Sequence, residues 1–291
     1  MKPLKTLFAI TFSTVIMSCQ NKETIGVQGH RGCRGILPEN SLPAFKKAVA
    51  LGVNTLELDL AVSKDKKVVV SHEPFMSRFY CLDPNGAEIP VEKDTLLNLY
   101  KMDYEEIKQF DCGSKPHERF AEQENMPVYK PLLREVFTLA DSLNRHITYN
   151  IELKARPEYD NIYTPEPKEF VTLVLQELSE KQLFNRCNLQ AFDNRVLEEI
   201  KRQAPNMKVA MLVDEHEDID EKLAELSFKP EIISPYYELL VKSDVKAYQQ
   251  QGYKIIPWTV NEIDDMEVMI AFGVNAIITD YPNRLLPLLK H

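Results

Sequence analysis

His30 and Arg31 lie in a glycine-rich run, V-Q-G-H-R-G-C-R-G-I-L-P-E-N-S, from Val27 to Ser41. Four of the nine glycines fall between Gly26 and Gly35, so backbone freedom is concentrated where a strand gives way to a loop. The pair sets a titratable imidazole beside a permanent cation with a planar donor fork. Alone, G-H-R-G is an ordinary surface turn. Here Glu57 and Asp59 follow on the next apolar segment, His72 ends another, and Glu152 and Lys154 occur in a third. Carboxylates without cysteine or histidine form a hard, oxygen-only donor set, suited to Ca²⁺ or Mg²⁺ rather than zinc. The competing reading pairs each acid with a cation such as Lys154 or Arg31; for three acids at strand ends near two histidines, one divalent cation is favoured, Ca²⁺ ahead of Mg²⁺. Paired histidines, a divalent cation and an arginine are the components of phosphodiester cleavage. The cations neutralise non-bridging oxygens as charge builds. One imidazole takes a proton from the nucleophile and the other gives one to the leaving oxygen, in an order the sequence leaves open. His117, His146, His216 and His291 have no comparable setting and read as structural or surface residues.

The elements that must position these groups follow from periodicity. Ile25–Gly29 reads as a strand, and a helix over Leu42–Leu51 is capped by Asn40 or Ser41 and stopped by Gly52. In strand Val53–Leu60, Thr55, Glu57 and Asp59 share one face while Leu56, Leu58 and Leu60 share the other. Acids facing a barrel interior are costly unless they bind something. Val68–His72 follows too closely for a parallel crossover, so a hairpin is expected. A turn centred on Asp65-Lys66 places His72 opposite Asp59. Residues from about 73 to 127 lose all period apart from short helices within Thr95–Phe110, and read as an insertion, either capping the site or decorating the fold. Regular alternation then begins: helix Leu132–Leu143, strand His146–Lys154, helix Pro167–Leu183, strand Cys187–Gln190. It continues through strands Met207–Val213, Glu231–Ser234, Tyr253–Val260 and Ala276–Thr279, with helices between them. Asn150, Glu152 and Lys154 share one strand face. Setting the hairpin aside, eight parallel strands each followed by a helix predict an α/β fold, the (β/α)₈ TIM barrel, with chemistry at the carboxyl ends of the strands.

The formal charge of −9 excludes nucleic acid as the main partner, because backbone binding needs a basic surface. Phosphate must then meet a local positive pocket. Residues 1–18 read as a signal peptide: Lys2 and Lys5 precede an apolar run, Leu7–Met17, too short to span a membrane. Ile16-Met17-Ser18-Cys19 resembles a bacterial lipobox, which implies cleavage before Cys19 and lipid on its thiol. The alternatives are an ordinary secretory signal or an uncleaved anchor. Residues 19–24 form a tether, and the expected location is outside the cytoplasm, membrane-anchored on the periplasmic or cell-surface side. Of the remaining cysteines no pair has C-x-x-C spacing. Cys81 and Cys112 share the insertion and are expected to pair, since disulfides persist in exported proteins.

The chain resembles the glycerophosphodiester phosphodiesterase family. The likeness rests on H-R-G at His30, P-E-N-S, E-L-D at Glu57, the strand ending in His72 and N-I-E-L-K at Asn150. P-W-T-V-N at Trp258 and I-I-T-D-Y-P at Asp280 complete a set that spans residues 25–287. The resemblance implies that His30 and His72 are the acid–base pair, and that Glu57, Asp59 and Glu152 hold the metal. It implies that Arg31 and Lys154 contact phosphate, and that Trp258 lines the pocket. The implied reaction converts a glycerophosphodiester and water to glycerol 3-phosphate and an alcohol, with the substrate's own glycerol hydroxyl attacking first. Two departures stand out: Glu73 follows the second histidine where Asp is frequent, and Ser41 replaces Thr. Two other readings remain open. A phospholipase acting on lysolipids or phosphatidylinositol would use an apolar groove lined by Phe75, Phe79 and Tyr80, and a non-catalytic surface binding lipoprotein would need no complete histidine–carboxylate set.

Overall fold

Alternation of strands too short to stand alone with helices apolar on one side leaves a closed sheet as the way to bury both faces. A computed structural model describes residues 24–290; the signal, Cys19 and nearly all of the tether lie outside them. The chain runs β1 (Gly26–Gly29), α1 (Leu42–Leu51), β2 (Thr55–Val62), β3 (Val68–Val70), α2 (Tyr104–Ile107), α3 (Leu133–Leu143) and β4 (Thr148–Leu153). It continues through α4 (Pro167–Glu180), β5 (Cys187–Ala191), α5 (Asn194–Gln203), β6 (Lys208–Val213), α6 (Ile219–Ala224) and β7 (Ile232–Pro235). The last elements are α7 (Lys242–Gln250), β8 (Lys254–Ile255), α8 (Ile263–Phe272), β9 (Ala276–Thr279) and α9 (Pro282–Leu288). Parallel pairing follows the order β8-β7-β6-β5-β4-β2-β1-β9, with β3 antiparallel on β2. Backbone bonds from Val260 to Ile278 and from Ile278 to Pro257 close the ring beside β8. The expected barrel of eight parallel strands is the fold.

Local chemistry sets the boundaries. Ser41 Oγ accepts from the Ala44 amide at 3.3 Å to start α1, and Gly52 at φ 98° ends it. Ala44, Phe45 and Ala48 on that helix are fully buried against the outer face of the sheet, with Leu56, Leu58 and Leu60 of β2 in the same core. Each such large side chain contributes about 1.5–3 kcal/mol on leaving water. The eighth strand is shorter than the expected Tyr253–Val260, because Pro257 cannot donate to a ladder.

Two features differ from simple alternation. The hairpin joins Leu60 to Val70 and Val62 to Val68, so that Ser71, not His72, donates its amide to the Asp59 carbonyl at 2.9 Å. The Ser63 amide donates to the Lys67 carbonyl at 3.0 Å beyond the strand ends, which leaves a three-residue loop with Lys66 at φ 60° rather than a two-residue turn, and this shifts the register by one. After β3 the chain forms an arm with its own core: Met76, Cys81, Leu99, Ile107 and Cys112 pack against Ala61 and Val69 on the hairpin. Cys81 and Cys112 are joined by a disulfide. The lumen is divided as well. Gln28, Glu57, Asn150 and Gln190 supply buried polar side chains on β1, β2, β4 and β5, whereas Ala210, Ile232, Ile256, Ala276 and Ile278 form an apolar cluster from β6 to β9.

Candidate active site

The glycine loop is forced by contact with α1. A Cβ on Gly32, at φ 88°, would meet the backbone of Ala44 and Phe45 at 2.8–3.0 Å. The loop also holds Arg31 at φ 49°, a left-handed conformation that costs a non-glycine residue about 1–2 kcal/mol. Two bonds offset that cost: the Arg31 amide donates to Glu57 Oε2 at 2.9 Å, and its carbonyl accepts from the Asn40 amide at 3.0 Å. The turn directs His30 into the mouth of the barrel. His30 Nδ1 donates to Asp280 Oδ1 at 2.6 Å, leaving Nε2 3.9 Å from Glu57.

Asp280, just past β9, also accepts from Arg34 at 2.9 and 3.0 Å and from Asn261 at 2.8 Å. Burial alone would raise its pKa; Arg34 and His30 overcome it and hold the carboxyl far below the usual range. For His30 burial wins over Asp280, and the imidazole is pulled down to about 4, so it is neutral at neutral pH.

Glu57, Asp59 and Glu152 present oxygens all within 4.8 Å of one another. The cause is register: Asp59 on β2 lies directly opposite Glu152 on β4, and Glu57 is one pleat earlier on the same face. All three are buried. Glu57 also accepts from Gln190 at 3.0 Å. Asp59 accepts from Asn40 at 2.8 Å and lies 3.2 Å from Arg31 Nε. Lys154 sits 2.6 Å from Glu152 and 3.8 Å from Asp59. Burial, then the Asp59 charge, pushes Glu57 well above the carboxylate range. Glu152 is raised by burial despite Lys154. Asp59 is held low, because Arg31, His72 and Lys154 outweigh its burial. The donor set fits a hard divalent cation: oxygen-only, converging, and carrying more buried negative charge than the nearby side chains neutralise. Gln190 Oε1, deep in the lumen, has no hydrogen-bond partner among the described residues.

His72 lies on the opposite lip. Its Nδ1 donates to Glu73 at 2.7 Å, and the Tyr80 hydroxyl donates to the second Glu73 oxygen. The acid whose role the sequence left open is therefore the partner of His72. Arg31, Glu57, Glu152, Lys154 and Trp258 line a cavity of about 760 Å³ together with both histidines. Asp59 lies behind its wall. Trp258 donates Nε1 to the Ser234 carbonyl at 2.9 Å and meets Phe192 edge to face at 5.4 Å. Of the aromatics expected to line a groove, Phe75 does so, Tyr80 is buried, and Phe79 faces solvent under Arg78.

Sequence reasoning missed Asp280, Asn261, Arg34 and Gln190, and read Asn40 only as a cap. Asn40, Asn261 and Asp280 did stand in the motifs P-E-N-S, P-W-T-V-N and I-I-T-D-Y-P; a polar residue at the end of a barrel strand was the available signal.

A barrel with a carboxylate cluster that could hold a metal ion and two carboxylate-held histidines at its mouth has the architecture of a phosphoric diester hydrolase. The chain belongs to the glycerophosphoryl diester phosphodiesterase family, whose profile matches residues 30–284. A glycerophosphodiester phosphodiesterase of Caldanaerobacter subterraneus subsp. tengcongensis is 31% identical over 264 residues, covering 91% of this chain and 97% of the relative. A crystal structure of a protein described as a glycerophosphoryl diester phosphodiesterase from Silicibacter pomeroyi superposes with a TM-score of 0.84 at 27% identity, over 92% of this chain and 93% of that one. A phosphodiesterase of Oleispira antarctica, solved with the product sn-glycerol-3-phosphate, has the same fold, with a TM-score of 0.73 at 21% identity over 92% and 98% of the two chains. The chain is an enzyme that hydrolyses glycerophosphodiesters.

Proposed function

We propose that hydrolysis proceeds by proton transfer through His30 and His72, with one divalent cation held by Glu57, Asp59 and Glu152. The observation that carries this reading is the pairing of each histidine through Nδ1 with a carboxylate, Asp280 or Glu73, on the rim of one cavity. Such a partner fixes the tautomer and leaves Nε2 for the substrate. One imidazole removes the proton from the attacking glycerol hydroxyl and the other supplies a proton to the departing alkoxide, which leaves a cyclic phosphate that water then opens to glycerol 3-phosphate. The bound cation would offset charge on the phosphoryl oxygens. Ca²⁺ is preferred over Mg²⁺ because Mg²⁺ commonly takes only one or two carboxylates and keeps its waters.

Arg31 spends Nη1 on Glu39 at 2.8 Å, and its Nη2 is assigned to phosphate; Lys154 is the second phosphate contact. Trp258 and the apolar half of the lumen seat the organic part of the substrate. The products are glycerol 3-phosphate and a free alcohol, as the glycerol 3-phosphate bound to the Oleispira antarctica protein supports.

The test removes the metal from the chemistry. Chelation should abolish turnover of a glycerophosphodiester panel, and Ca²⁺ should restore it. Glu57→Gln, Asp59→Asn and Glu152→Gln should each weaken metal binding, with activity partly recovered at excess cation by mass action. Lost activity with unchanged metal affinity and no rescue would refute the site. Release of fatty acyl-bearing product from the same panel would favour the phospholipase reading.

Export and lipid anchoring at Cys19 belong to the same proposal. The lipobox and the Cys81–Cys112 disulfide support it, since such bonds persist outside the cytoplasm. Cys19→Ser should leave an unprocessed precursor; normal processing of that variant would count against the anchor.

A further inference from the structure

The arm contains a buried polar group that the reaction as proposed does not use. Tyr80 is 7% exposed, and its hydroxyl donates to one oxygen of Glu73 while the other accepts from His72 Nδ1. Phenol, carboxylate and imidazole thus form one chain that starts in the core of the arm and ends in the cavity.

The phenol is fixed on both sides. His117 stacks on its ring at 5.9 Å, and Lys130 Nζ lies 5.2 Å from the ring centre. Lys130 is itself buried and donates to Ser71 Oγ at 2.8 Å; Ser71 in turn donates to the Glu73 carbonyl at 2.6 Å. Next to Tyr80 in sequence, Cys81 is tied to Cys112.

A carboxylate on Nδ1 orients an imidazole only as well as the carboxylate itself is held. Asp280, behind His30, is held by Arg34 and Asn261. Glu73 has a longer side chain and is 26% exposed, and among the described residues no arginine hydrogen-bonds to it, although the charge of Arg31 acts on it from a distance. Its rotamer freedom has to be removed by something else. The buried phenol is the group in contact that can do so, and it reaches Glu73 because the arm folds over the hairpin.

We propose that Tyr80 is a positioning residue for His72, acting through Glu73, and that supplying it is the contribution of the arm to the reaction. The inference rests on His72 being one of the two proton-transfer groups.

Tyr80→Phe keeps the ring and its stack on His117 while deleting the donor. It should lower kcat about 10-fold with KM little changed, and shift the limb of the pH profile that His72→Ala abolishes. Imidazole ¹⁵N shifts should show His72 moving from a fixed Nδ1–H tautomer to an averaged one. Glu73→Gln should lower kcat about 10²-fold, and the double variant should be no worse than Glu73→Gln, because both act through one chain. A purely structural tyrosine would lower Tm and leave the pH profile and tautomer alone; that result overturns the proposal. An inactive His72→Ala beside a Tyr80→Phe with wild-type kcat, pH profile and tautomer removes this inference alone. Wild-type activity in His72→Ala removes it together with the two-histidine mechanism.

Discussion

His30 and His72 reach one cavity from scaffolds of different kinds. His30 follows a barrel strand paired on both sides, and its partner Asp280 is anchored by a buried arginine and an asparagine from the last turns of the barrel. His72 follows a three-residue strand paired with β2, and its partner Glu73 is anchored by a tyrosine from the arm. The first support is charged and closed, with the His30 side chain 11% exposed; the second is hydrogen-bonded and open, with His72 at 29%. The barrel therefore fixes one of the two proposed proton-transfer groups as part of its core. The other depends on a smaller unit that folds beside it.

The largest effect should come from removing the histidines. His30→Ala and His72→Ala should each lower kcat by about 10²–10⁴-fold with metal affinity retained in calorimetric titration. Repeating the assay with a good leaving group should spare whichever variant lacks the acid, which assigns the two roles. Next, Asp280→Asn should lower activity by about 10–10²-fold and also destabilise the fold. It leaves the buried Arg34 with only Glu39, at 3.7 Å, as its anion, a loss of about 1–3 kcal/mol in denaturant unfolding. Glu73→Gln should leave unfolding almost unchanged; equal destabilisation by the two substitutions would break the contrast between the supports. The smallest effect on rate should follow Cys81→Ser with Cys112→Ser. That pair should weaken the arm by about 3–4 kcal/mol on the chain-entropy model, seen as faster hydrogen exchange over residues 73–127 with β4–β9 unchanged. Uniform loss of protection across the barrel would show that the arm is not a separate unit.

What was legible in the sequence follows the range of the interactions. Each strand–helix pair is a local pattern, so the barrel and the inward acids of β2 and β4 could be read by period alone. The hairpin register could not. Lys66 takes the left-handed position that glycine normally marks, and without that mark the loop was read one residue short. The supports of the histidines were hidden for another reason. His30 and Asp280 are 250 residues apart, and no local pattern joins them. Glu73 adjoins His72 in sequence, but its function depends on Tyr80, which lies in a stretch without period. That stretch gave no sign of whether it capped the site or decorated the fold, because its core is built from scattered turns rather than from one repeating face.

The seam of the barrel has a consequence for the order of synthesis. β1 pairs with β9, and the loop after the first strand is completed by residues after the last. A nascent chain halted between Glu152 and Ala276 lacks both the closing strand and the anion on His30, although every proposed metal ligand has already been made. The closed barrel and the support of His30 are therefore completed together, by the last strand and the residue that follows it.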